Sequence, residues 1–140
     1  MRVTLNQDGV RELLSSSQGP VAREMASLTR QVQNRAKQKV GVDTGRLRSS
    51  VTGVVNATGD KVVGTVGSSV QYAGYHHQGT GVYGPRGRPI KARPGRVLVF
   101  TPKGASTVVY TKQVQGSKPN PFLLDALREV LVGWTIVENR

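Results

Sequence analysis

Apolar residues recur at three- and four-residue steps from Val21 through Met25, Leu28, Val32 and Ala36 to Val40. That spacing stripes one face of a helix over residues 20–40. Pro20 suits its first position, where the missing N–H costs nothing. Glu24 near the start and Lys37 and Lys39 near the end follow the order the helix dipole favours, and Gly41 is a stop. Upstream, residues 1–5 read as a short strand or a flexible lead. Asp8 can cap a brief helix through about Ser15, and "SSSQGP" then breaks it.

After Gly41 the period changes. Asp43 or Thr44 can cap a single short turn in which Leu47 is the one apolar residue. "SVTGVVNAT" and "KVVGTVGSS", joined at Gly59-Asp60, read as two β-branched strands with a tight connection. "VQYAGYHHQ" is either a third strand or a strand running into a helical turn. Residues 79–96 hold five glycines and three prolines and read as a long loop, a length that in a small domain points to function or disorder. "VLVF" (97–100) and "STVVYTK" (106–112) form another hairpin. Asn120 and Pro121 then start a helix through about Val137, with Leu123, Leu127, Val130, Leu131 and Trp134 as its buried stripe.

Helix, antiparallel strands, then helix make an α+β domain: a small antiparallel sheet packed by a long N-terminal and a C-terminal helix. At 140 residues the chain is expected to be a single domain over 1–140, with 1–19 as a peripheral lead. No apolar run approaches the roughly 20 residues of a membrane helix, so no membrane partner is expected. "MRVTLNQDG" lacks a signal-peptide pattern, which makes a cytoplasm the default compartment.

Charge changes the picture most. Twenty Lys+Arg against eight Asp+Glu give +12, and no acidic residue lies between Asp60 and Asp125, where nine basic ones do. Such a segment repels itself unless it meets a polyanion or an acidic protein surface. "GPRGRPIKARPGR" concentrates Arg86, Arg88, Lys91, Arg93 and Arg96 on a glycine/proline frame just after Tyr83. That loop can follow a phosphate backbone, or it can be a solvated loop awaiting a protein partner. Residue types alone divide these two evenly. Any DNA contact would be sequence-nonspecific, because no base-reading helix is present.

The remaining chemistry is weak. His76 and His77 are the only histidines and have no acidic residue within fifteen positions, so a packed or hydrogen-bonded role outweighs catalysis. On a strand their side chains would point to opposite faces and could not chelate one ion. With no cysteine, disulfides and thiolate metal sites are excluded, and neither a metal nor a cofactor is expected. "GTGVYG" (79–84) matches G-x-G-x-x-G literally, but Pro85, Pro89 and Pro94 forbid the helix that fingerprint must open.

Three stretches, in order, resemble a family of tailed-phage neck proteins: head–tail joining, tail-completion or minor tail components, to which phage lambda minor tail protein Z looks distantly related. "VDTGRLRSSV" is similar to the family's T-G-x-L-R-x-S pattern, with Thr44, Gly45, Leu47 and Arg48 at the matching positions. "VQYAGYHHQGTG" resembles Y-A-x-x-x-H-E-G-T-G, through Tyr72, Ala73, His77, Gly79, Thr80 and Gly81. "SKPNPFLLDAL" is like the P-F-L-x-x-A-L that opens the last helix, through Pro121, Phe122, Leu123, Ala126 and Leu127. Gln78 departs from the pattern, standing where an acidic residue is frequent. The physical alternative for these motifs is intradomain, with Leu47, Phe122 and Leu127 in the core and the glycines permitting a turn.

The resemblance implies a non-enzymatic virion protein of the neck or tail, assembled in the host bacterial cytoplasm. It would form part of a ring between portal and tail tube, with sixfold symmetry by family analogy. Implied partners are further copies of itself, the tail terminator or tail tube, portal-side neck proteins, and nonspecifically the genomic DNA. The alternative is a small basic protein that binds nucleic acid without sequence preference.

Overall fold

The computed structural model describes residues 16–41, 45–59 and 61–134. In chain order these form α1 (Pro20–Lys39), α2 (Arg46–Ser50), β1 (Val51–Thr58), β2 (Lys61–Ser68) and α3 (Ala73–Gln78). A 3₁₀ turn (Gly81–Tyr83), β3 (Ile90–Lys91), β4 (Leu98–Phe100), β5 (Val109–Thr111), β6 (Gln113–Val114) and α4 (Phe122–Val130) follow. The class is α+β, as the hydropathy pattern implies. The Asp8 helix, the Asp43 or Thr44 cap and Asp60 lie outside the described residues.

Two compact units divide the chain: residues up to Val70 together with those from Phe122 onward, and Gln71–Pro121 between them. In the first, α1 packs on both strands of the β1–β2 hairpin and on α4. The hairpin runs antiparallel from Val51 opposite Ser68 to Thr58 opposite Lys61. Gly59 turns it with φ 61°, a conformation open mainly to glycine. Along β1 every second residue is exposed, so Gly53, Val55 and Ala57 share the inner face. The core gathers Val32, Ala36, Val40, Leu47, Val51, Phe122 and Ala126, of which Ala36, Val51, Phe122 and Ala126 have no exposed surface. Removing the Phe122 ring would cost about 3–5 kcal/mol on the usual scale for such truncations.

Two sequence expectations shift here. The buried stripe of α1 includes Ala22 and Thr29, whereas Val21, Met25 and Leu28 are only half-buried. Two strand glycines admit Thr29 to the interface, which rotates the buried face from the one hydrophobicity marks. The last helix ends at Val130, short of Val137, and Trp134 is 63% exposed where a buried position was expected. Gly133 takes φ 85°, a left-handed geometry that stops a helix and carries Trp134 off its stripe.

In the second unit, "VQYAGYHHQ" resolves as the short helix α3. Strands β3 and β6 pair antiparallel, with Ile90 opposite Val114, and β4 pairs with β5 as the expected hairpin. The described strands therefore make three two-stranded ribbons where one small sheet was expected. Residues 79–96 are correspondingly more than a loop. Their start is a 3₁₀ turn and their middle is β3, because residues 112–117 supply backbone partners distant in sequence.

Candidate interaction surface

The first motif is a corner of the helix–hairpin unit. Gly45 precedes α2 with φ 76°, Leu47 is buried, and Arg48 is exposed. Ser50 Oγ and Ser68 Oγ, at the open end of the hairpin it feeds, lie 2.7 Å apart. Thr44 lies outside the described residues. The core role weighed for Leu47 is the one its burial shows.

The second motif folds against the residues that lead into the third. The Thr80 N–H donates to the Ser117 carbonyl (2.9 Å), the Ser117 N–H to Thr80 Oγ1 (2.9 Å), and the Val82 N–H to the Gln115 carbonyl (2.7 Å). The approach is close enough that side chains are excluded. A Cβ on Gly79 would stand 2.9 Å from the Pro119 nitrogen, and one on Gly81 would collide with the Gln115 carbonyl. Both glycines also have positive φ, 78° and 64°. Tyr72 leads into α3 and Ala73 is buried at its start.

The histidines sit on α3, not on a strand, so the opposite-faces argument does not apply to them. The Asn120 N–H donates to the His76 carbonyl (3.0 Å). The Asn120 Nδ2 lies 3.2 Å from His76 Nε2, an arrangement in which the amide donates and the ring accepts. His77, the matching position of the motif, is half-buried beside it. Among the described residues no three His, Cys, Asp or Glu side chains cluster as metal ligands. Asn120 was legible as a helix-start residue but not as the partner of His76, because 44 positions separate the two.

Pro121 closes the second unit, while Phe122 is wholly buried and Leu123 half-buried in the first. The third motif thus straddles the division: Phe122 and Ala126 share the core role of Leu47, whereas Leu127, expected in the core, is half-buried.

The basic segment lies wholly in Gln71–Pro121, where no Asp or Glu occurs. Arg86, Arg88, Lys91, Arg93 and Arg96 are all exposed. Arg86, Arg88 and Lys91 line an open hollow of about 570 Å³, together with Tyr75, Gln78 and the glycine turn. Arg93, Arg96 and Lys112 line a second hollow of about 430 Å³. Lys91 and Ala92 are consecutive, so the two hollows adjoin along the chain, and the Ala92 N–H donates to the Lys112 carbonyl (2.9 Å). Sequence inspection did not single out Tyr75 or Lys112. Tyr75 joins the site because residues 73–78 are helical, and Lys112 because it leads into β6, which pairs with β3 of the basic segment.

Residues 20–79 match the family model described as "Bacteriophage HK97-gp10, putative tail-component". The tail-component match covers α1, α2, the β1–β2 hairpin and α3, and so includes the first motif and the second up to Gly79. It spans less than half of the chain and stops before the basic segment. It agrees with the phage neck or tail resemblance of the motifs and supports a structural tail protein in general terms. Neither the curated proteins nor the solved structures give a match. Among the described residues no helix is long and apolar enough to cross a membrane.

Proposed function

We propose that this chain is a non-enzymatic structural protein of a long-tailed phage, acting in head–tail joining or tail completion. The observation that carries this reading is the tail-component match over residues 20–79, which falls on a helix–hairpin core built by the first motif. The tie between residues 76–82 and 115–120 adds to it, because it gives the second motif and the approach to the third a shared structural task. His76 is engaged through its ring with the Asn120 amide, which supports a packing role over acid–base catalysis.

In this reading copies of the chain form part of a cyclic ring, sixfold by family analogy, between the portal side of the neck and the tail tube. The tail terminator or tube and the portal-side neck proteins are its neighbours, and the virion is its final location after assembly in the host cytoplasm. The test is mass spectrometry and electron-microscopic density of purified particles, alongside a nonsense mutant of the gene. The expected result is ring density for this chain at the neck, and separate heads and tails from the mutant. Infectious particles that lack the protein would refute the proposal.

A further inference from the structure

The hollow formed by Tyr75, Gln78, Arg86, Arg88 and Lys91 offers a charged wall, an aromatic face and no counter-charge of its own. Tyr75 is 67% exposed, and Tyr72, Tyr83 and Tyr110, the other tyrosines of the chain, are exposed too. All four lie in the unit without acids. A solvent-facing aromatic beside arginines is the arrangement on which a base stacks while its phosphates meet guanidinium groups.

Three features favour a nucleic acid over an acidic protein. The cations do not end with one hollow but continue through Arg93, Arg96 and Lys112 into the next, as a linear polyanion of repeating charge requires. The surface is concave at a size within the range of small-ligand sites, whereas carboxylates of a protein face are met equally well on a flat patch. Tyr75 also supplies a flat apolar contact that a carboxylate cannot use but any base can.

We infer that the Tyr75–Arg86–Arg88–Lys91 hollow is a nucleic-acid site. Its cations hold the phosphodiester backbone, Tyr75 takes one unpaired base, and the strand continues toward Arg93, Arg96 and Lys112. The site deepens the neck reading by naming DNA as the partner of the basic segment, and rests on that reading only for where the DNA would be met. Gln78 is part of the site by being neutral, since a carboxylate there would face the phosphates.

The experiment is fluorescence anisotropy of the full chain with a labelled oligothymidylate and with a labelled duplex of equal length, between 50 and 200 mM salt. Binding of the single strand should weaken with salt, with a log–log slope near −2 if three phosphates are neutralised, at about −0.7 each. The triple variant Arg86→Ser/Arg88→Ser/Lys91→Ser should lose most of that slope. Tyr75→Ala should weaken single-strand binding about tenfold, keep the slope, and leave duplex binding unchanged. Gln78→Glu should weaken both, and circular dichroism of every variant should match the parent.

Equal affinities and slopes for parent and triple variant would overturn the site. So would absence of binding to both probes at 50 mM salt. Single-strand binding that equals duplex binding and ignores Tyr75→Ala would overturn the stacking role. Retention of an acidic virion protein by the parent but not by the triple variant, with no DNA effect, would assign the surface to a protein. The neck reading is judged separately, by whether the chain is present in particles, so either can fail alone.

Discussion

Thr29 of α1 straddles the hairpin beneath it, its hydroxyl over Gly64 and its methyl over Gly53. A Cβ on Gly53 would stand 2.7 Å from the Thr29 methyl carbon, and one on Gly64 would collide with the hydroxyl. The two glycines are therefore spaces on the strand face into which a β-branched side chain fits, and they let helix and hairpin approach. The polar Thr29 is 6% exposed for this reason, while neighbouring Leu28 is only half-buried.

Gly64→Ala should overpack this contact and destabilise the protein by about 1–3 kcal/mol. Urea unfolding of the full chain measures it. Thr29→Ala opens the space again, so the double variant should be more stable than the two single losses added together. Strict additivity would mean that Thr29 does not sit where described.

The tie between Gly81 and Gln115 makes a second packing prediction. Gly81→Ala introduces a collision with the Gln115 carbonyl at a positive-φ position, for which the backbone term alone is about 1–3 kcal/mol. Amide exchange should show it locally, with the Val82 N–H that bonds Gln115 losing protection. Unchanged exchange at Val82 would argue against the close approach of these segments.

Asn120→Ala removes the side-chain bond to His76 but leaves the Asn120 N–H on the His76 carbonyl. The expected loss is about 0.5–1.5 kcal/mol, the net value of one such bond. Nitrogen chemical shifts of the His76 ring should move in the variant, reporting the lost contact at Nε2.

Glu129 links α4 to α1 through Lys39 Nζ (2.6 Å) and Arg35 Nε (3.9 Å). The hydrogen bond from Lys39 holds its carboxyl below the usual range. Desolvation opposes this, and the charges of Lys39 and Arg35 add to the lowering. A depressed folded-state value means stability that is present above the unfolded carboxyl range, near pH 4.3, and lost as pH falls through the folded value. The urea midpoint should fall slightly on acidification over that window, and less so in Glu129→Gln. The effect stays small because Glu129 is solvent-exposed.

Charge reversal at Arg86, Arg88 and Arg93 should leave the melting profile near that of the parent, since all three are exposed. In a phage carrying the change, heads and tails should fail to join. Normal titres of infectious particles would remove the basic segment from assembly.

What this sequence determined by itself is local. The three- and four-residue steps place α1, the Gly59 turn places the first hairpin, and Asn120-Pro121 marks the start of α4 to within two residues. The absence of acidic residues between Asp60 and Asp125 likewise marked the chain's most basic segment, without saying whether a polyanion or an acidic protein would meet it. Each of these signals arises from neighbours within one turn or one hairpin, or from composition. Tertiary structure decided the rest. It made α3 a helix that carries Tyr75, brought Asn120 to His76, and bonded residues 80–82 to 115–117. It also selected Thr29 over Leu28 for burial. Those outcomes depend on backbone partners and on spaces left by glycines dozens of residues away, and no periodicity along the chain encodes which distant glycine faces which side chain.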